Sequence, residues 1–167
     1  FIQSTSDLSG NIGIGYQSLY ANTSGTGNVS VGRESLKANT TGYKNTAIGY
    51  TALKDNTDGH SNTAIGYEAL MSYRYESSDQ YNSYNTAVGY AAMRYHSGIR
   101  NIGLGIAALE GVNGNIGTGD DNIAIGYTSL ALNTTGSTNL AIGYNALYNN
   151  NTGSFNVAIG KDALTSN

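Results

Sequence analysis

Asparagine followed four residues later by glycine recurs nine times along this chain, at Asn11/Gly15, Asn28/Gly32, Asn45/Gly49, Asn62/Gly66, Asn85/Gly89, Asn101/Gly105, Asn122/Gly126, Asn139/Gly143 and Asn156/Gly160. The asparagines are separated by 17, 17, 17, 23, 16, 21, 17 and 17 residues, so a 17-residue module is lengthened twice and shortened once. Self-similarity at a fixed period decides the architecture before local propensity does. Seventeen residues is too short for leucine-rich, propeller or helical-hairpin repeats, which need about 20 or more. A coil of parallel strands fits. The chain therefore reads as an all-β parallel solenoid (β-roll or β-helix) of nine coils over residues 11–167, with residues 1–10 as a lead-in.

Counting each module from its asparagine, position four is always Ile, Val or Leu, and position nine is Leu eight times and Met93 once. Positions three and eight are only Gly, Ala or Ser. Asn, Thr, Ser and Gly close the module, and these residues favour turns because they bond nearby backbone and tolerate left-handed conformations. Each module is thus expected to hold two very short strands joined at the glycine. That glycine implies positive φ or no room for a Cβ. The Ala-Leu pair after it has weak strand propensity, which leaves a helical turn over 67–71 as the local alternative. At an inter-strand spacing of about 4.8 Å the stack forms a rod about 40 Å long. In it the nine asparagines align as a structural hydrogen-bond ladder.

Strand parity puts positions two and four on one face, carrying Ile, Val, Leu or Thr, and position three on the other, carrying Ala, Gly or Ser. Neither face is charged. A thin coil buries one face itself, so the other needs a cover, and copies of the same chain in closed cyclic symmetry are the usual one. A homotrimer of parallel protomers is expected, with the position-four aliphatics as core residues. On that parity Ile125→Asp should be far more damaging than the turn change Thr134→Ala.

The strings NTAIGY, NIAIGY, NLAIGY and NVAIG resemble the repeat of trimeric autotransporter adhesin heads, a left-handed parallel β-roll centred on Asn-x-hydrophobic-Ala-Ile-Gly. The form with an Asn-Thr-Thr-Gly turn, as in Asn133-Thr134-Thr135-Gly136, is similar to repeats of bacteriophage tail fibres. The resemblance covers Asn11 to Asn167 and implies a trimeric extracellular fibre or adhesin, on a virion or a cell surface. The period is longer than in the adhesin heads, Tyr is frequent at position six, and two insertions are expected to break the register. Phe1 is not an initiator Met and Asn167 falls before the ninth turn closes, which reads as a fragment of a longer parent. The resemblance also allows a C-terminal chaperone domain that cleaves itself off.

The 167 residues contain no cysteine, so disulfides and thiol or zinc chemistry are excluded. No apolar run approaches the roughly 18 residues of a membrane span. Only 11% of residues are charged, and the eight Lys and Arg form no basic stripe, which argues against nucleic acid. His60 and His96 sit in different turns without metal-spaced partners and read as solvated. Glu76 and Asp79 share a loop without the scaffold of a glycosidase pair. No catalytic residue, metal or cofactor is assigned, and the chain is not expected to be an enzyme.

Binding is expected where the module is interrupted. The insertion near 71–84 brings Tyr73, Arg74, Tyr75, Glu76, Asp79, Tyr81 and Tyr84, and the next module carries Arg94-Tyr95-His96 in place of the usual turn. Stacking places these two loops together on the rod's flank. Loops on rigid scaffolds are common recognition sites, and tyrosine offers a flat apolar face with a hydroxyl at low entropic cost. These ten residues are the candidate site for a cell-surface glycan or receptor protein. The bland counterpart is that the tyrosines pack on one another or on the next protomer. The position-six tyrosines, from Tyr16 to Tyr144, read as a structural stack. The second insertion, 111–121, has calcium-type oxygens at no calcium-loop spacing and reads as a solvated loop. An attachment fibre is favoured, with a purely structural shaft as the alternative. Ice binding, suggested by the Thr23, Thr40, Thr57 and Thr134 row, is the remote third.

Overall fold

The computed structural model describes residues 10–72 and 82–166. Among these residues each module contributes one short strand and no helix forms: β1 (Ile12–Ile14), β2 (Val29–Val31), β3 (Thr46–Ile48), β4 (Thr63–Ile65), β5 (Thr86–Val88), β6 (Ile102–Leu104), β7 (Ile123–Ile125), β8 (Leu140–Ile142) and β9 (Val157–Ile159). They form one parallel sheet in sequence order. The chain is a parallel β-solenoid of about eight turns.

Register is kept module to module everywhere. Thr63 pairs with Thr86 across the 23-residue interval, Thr86 with Ile102 across the 16-residue one, and Ile102 with Ile123 across the 21-residue one. The insertions therefore do not break the register, contrary to the sequence expectation. The strand positions stay aligned across both insertions and across the shortened module.

The second expected strand is absent. Positions seven and nine are left-handed in every coil, as at Thr51 (φ 52°) and Leu53 (φ 51°), and these alternate with residues of ordinary φ. A non-glycine residue there costs roughly 1–2 kcal/mol. What offsets the cost is a continuous ladder of backbone bonds between coils. The position-seven amide of Thr51 donates to Arg33 O of the previous coil at 3.0 Å, and the position-nine amide of Leu53 donates to Ala69 O of the next coil at 3.0 Å. The same pair of bonds recurs from coil to coil, so the turns are hydrogen-bonded like a sheet without strand dihedrals.

This backbone also inverts the expected core. Positions eight and nine, such as Ala52 and Leu53, are both buried, which successive residues of a strand facing a single core could not be. The core is a stack of Leu36, Leu53, Leu70, Met93, Leu109, Leu130 and Leu147 against small residues at positions three and eight. Where position three is serine, Ser30 Oγ donates to Ser35 O at 2.9 Å and receives a bond from Ser18 Oγ at 2.7 Å. The position-four aliphatics are not in this core. Ile14, Ile48, Ile65, Val88 and Ile159 are exposed, and Val31, Leu104, Ile125 and Ile142 are half-buried. The leucines fill the narrow interior, so only small residues fit opposite them and the branched residues face outward. In a single chain Ile125→Asp would put its carboxylate at a half-solvated surface.

The recurring shape of the bend rests on the position-five glycine. Gly49 has φ +139°, and a Cβ on it would lie 2.2 Å from Gly66 O of the next coil. Since the obstacle is backbone, no rotamer change relieves it.

Candidate interaction surfaces

Asparagine has both a donor and an acceptor in its side chain, and the first ladder uses both. Asn45 Nδ2 donates to Gly59 O at 2.8 Å within its own coil, and Asn45 Oδ1 accepts the backbone N–H of Asn62 at 3.0 Å from the next. The acceptor link runs without a gap from Asn11 to Asn156, including Asn85 to Asn62 (2.9 Å), Asn101 to Asn85 (2.8 Å) and Asn122 to Asn101 (2.8 Å). Direct amide-to-amide bonds occur at some steps, such as Asn139 to Asn122 at 3.0 Å, but the main donor target is glycine carbonyl. The expected ladder exists, with backbone as its principal partner.

A second ladder was missed in the sequence reading. Asn22, Asn39, Asn56, Asn133 and Asn150 each stand eleven residues after a first-ladder asparagine, a spacing that was visible. Asn39 Nδ2 donates to Asn22 Oδ1 at 2.7 Å and Asn56 Nδ2 to Asn39 Oδ1 at 3.0 Å. In coil five the same position holds His96. It is fully buried, not solvated, and its Nε2 lies 2.9 Å from Gly119 O. Because a carbonyl only accepts, Nε2 carries the proton. Nδ1 is then an acceptor, and it has no partner. Desolvation dominates and pushes the imidazole down to about 4, against smaller opposing effects of the Gly119 bond and the Asp120 charge.

The rest of the proposed binding patch is divided. Tyr73, Arg74, Tyr75, Glu76, Asp79 and Tyr81 lie outside the described residues. Tyr84 is exposed and meets His60 edge-on at 4.8 Å, while His60 stacks on Tyr43 at 4.5 Å. Arg94 sits over the Tyr95 ring and is ion-paired to Glu68 (2.7 Å) and to Glu110, so its charge is used between coils four and six. Tyr95 is half-buried, and its carbonyl accepts Gly117 N at 2.8 Å from the second insertion. That insertion carries a tight turn in which Asn115 N donates to Val112 O at 2.9 Å, with Asn113 and Gly114 exposed.

Two surface columns run along the rod. One is the outward strand face, where positions two and four of all nine strands are Ile, Val, Leu or Thr. The other is position six, where Tyr50 and Tyr67 stack at 5.1 Å, Tyr67 and Tyr90 at 5.1 Å, and Tyr127 and Tyr144 at 5.3 Å. Arg33 substitutes in the column and lies 5.7 Å from the Tyr16 ring and 5.8 Å from the Tyr50 ring. Ring faces in this column are thus taken up by neighbouring rings or, at Tyr16, Tyr50 and Tyr144, by the cations of Arg33 and Lys161.

Hydroxyls of the threonine row are engaged by the backbone of the next coil. Thr23 Oγ1 donates to Thr40 O at 3.0 Å, and Thr40 Oγ1 to Thr57 O at 3.0 Å. Among the described residues no three His, Asp or Glu group to hold a metal, and no helix is long and apolar enough to cross a membrane. Comparisons with protein-family models, curated proteins and solved structures gave no match. The likeness to adhesin heads and tail fibres therefore stands as far as the parallel β-solenoid and its tandem repeat.

Proposed function

We propose that this chain is a segment of an extracellular attachment fibre, on a virion or a cell surface, built as a parallel homotrimer around its strand face. The carrying observation is the outward face of the sheet. It is apolar or threonine at every rung and runs the whole rod, a contiguity that isolated soluble chains rarely expose. Charge begins only beyond it, at Arg33 and Lys161 in position six on one side and at Lys44, Arg100 and Asp121, just before position one, on the other. A symmetry axis brings identical residues together, so an uncharged face is the one that tolerates it.

On this rod the loops of coils four and five would meet a glycan or receptor through tyrosines. Replacing Tyr75 and Tyr95 together with Ala should weaken attachment by about 2 kcal/mol or more, as for interface anchors, while leaving the assembly intact. Glycan-array and cell-binding measurements read this directly. Unchanged binding would move recognition elsewhere, and loss of the assembly would assign the tyrosines to packing. The shaft reading is favoured by one set of contacts: Arg94 is consumed by Glu68 and Glu110, and His96 is internal.

A further inference from the structure

Five asparagines begin an Asn-x-Ser/Thr triplet: Asn22-Thr23-Ser24, Asn28-Val29-Ser30, Asn39-Thr40-Thr41, Asn133-Thr134-Thr135 and Asn150-Asn151-Thr152. Such triplets are acceptors of N-linked glycans, and a bulky glycan requires its asparagine at the surface. Here Asn28, Asn39, Asn133 and Asn150 are buried and Asn22 is half-buried. The nitrogen that would be modified joins one coil to the previous one at Asn28 and Asn39, and closes the coil's own turn at Asn133 and Asn150. Asn28 Nδ2 uses both protons, toward Gly42 O (2.8 Å) and Asn11 Oδ1 (3.2 Å), and Asn39 Nδ2 uses both, toward Asn22 Oδ1 (2.7 Å) and Gly42 O (3.1 Å). Asn133 and Asn150 donate to Gly136 O and Gly153 O, each at 2.8 Å.

We infer that N-linked glycosylation of these triplets and folding into this rod exclude each other, so the chain matures only where the oligosaccharide-transferring enzyme does not meet it unfolded. In that transfer Nδ2 bonds to the anomeric carbon of a lipid-pyrophosphate-linked oligosaccharide. The carbon–oxygen bond to pyrophosphate breaks, its electron pair leaves with the pyrophosphate oxygen, and the amide loses one proton. One ladder bond is thereby deleted at Asn28 and at Asn39, and at all four buried sites a sugar is placed where the packed turn of the rod stands. Folded first, the rod hides its acceptors; modified first, it cannot close. This holds whether or not the assembled fibre binds a receptor.

The test routes the chain through a eukaryotic secretory pathway behind a signal peptide and, separately, makes it in a bacterial cytoplasm. The control carries Ser24→Ala, Ser30→Ala, Thr41→Ala, Thr135→Ala and Thr152→Ala, which removes every acceptor triplet and leaves every asparagine. Four of these serines and threonines are exposed, and the fifth receives the alanine already present at Ala47 and Ala64. Wild-type chain from the secretory route should shift on a gel after endoglycosidase and be protease-sensitive, whereas cytoplasmic wild type should resist protease. The control, and wild type made while lipid-linked oligosaccharide synthesis is blocked, should give protease-resistant rods from the secretory route. A resistant rod carrying glycan at Asn28, Asn39, Asn133 or Asn150 would overturn the exclusion, as would failure of the synthesis block to rescue the wild type. Unmodified, folded wild type from the untreated secretory route would overturn the restriction on where the chain matures.

Discussion

Coils one to three and coils four to six obey the same module and spend their polar groups differently. In the first region the second ladder runs through Asn22, Asn39 and Asn56. It stops there: Asn56 Oδ1 has no partner, His96 replaces the asparagine of coil five, and Asn133 Oδ1 on the far side is again unpaired. Among the described residues the buried side-chain atoms without a partner are Thr51 Oγ1, Asp55 Oδ2 and Asn56 Oδ1 at the end of the first region, Arg94 Nε and His96 Nδ1 in coil five, and Asn133 Oδ1 just past the second. The first asparagine ladder crosses the same stretch without a gap. The difference teaches which ladder sets the register. The first, with the glycine bend, is kept through both insertions, while the second-ladder position holds no asparagine in any of the three modules whose length departs from 17, where it is Tyr73, His96 and Val112.

The sharpest challenge to that division is the glycine bend, which should be equally intolerant in both regions. Gly49→Ala and Gly89→Ala each drive a methyl into backbone, 2.2 and 2.4 Å from the next coil's carbonyl oxygen, and each should cost about 4 kcal/mol or more. Gly160→Ala, with nothing within 4 Å, keeps only the strain of its φ of +127° and should be milder than either. Chemical denaturation orders the three. A mild Gly89→Ala would mean that the middle coils are looser than the pairing implies.

Next in size are the ladders themselves. Asn45→Ala and Asn101→Ala should each lose about 1–3 kcal/mol, because each leaves the buried amide of the next coil's asparagine unpaired and removes one of the two donors to a glycine carbonyl. In the second ladder Asn39→Ala should lose a similar amount, whereas His96→Asn should be neutral or stabilising, since it restores the module residue. A clear loss with His96→Asn would show that the histidine is fitted to its site and does not interrupt the ladder.

The smallest effects are in pH dependence. His96 is held down at about 4 against an ordinary 6.5, so the unfolded chain binds more protons and stability should fall as pH drops from about 6.5 to about 4. Asp55, in the regular region, is raised by desolvation to about 6 against an ordinary 3.8, and its contribution runs the other way: stability is lost as pH rises from about 4 through 6. The two slopes oppose one another between about pH 4 and 6. Melting curves should therefore change little there for wild type, rise toward acid for His96→Asn, and fall toward acid for Asp55→Asn. Parallel profiles for the two variants would contradict the assignment.

Much of the fold was legible because the module repeats its constraints. The glycine at position five and the asparagine at position one announced a bend and a ladder, and both are present. The core was misassigned because parity was extended through positions six to nine, where left-handed residues such as Thr51 and Leu53 are invisible to a strand pattern. With that alternation Leu53 turns inward beside Ala52, and Ile48 is left outside. The candidate site was less legible. Nothing in Arg94-Tyr95-His96 as a string says that the arginine is bound to Glu68 and Glu110, because those partners come together only once the coils are stacked. His96 was readable in principle: it stands eleven residues after Asn85, the second-ladder spacing.

The claim that matters most for function is that the strand face is an interface between copies of this chain. Its direct test is the solution mass by light scattering, measured with circular dichroism on the wild type and on Ile125→Asp. The wild type should scatter as three chains of 17.4 kDa each, and Ile125→Asp, half-buried in one chain, should dissociate it while keeping the β-solenoid spectrum. A well-folded wild-type monomer of 17.4 kDa would contradict the account.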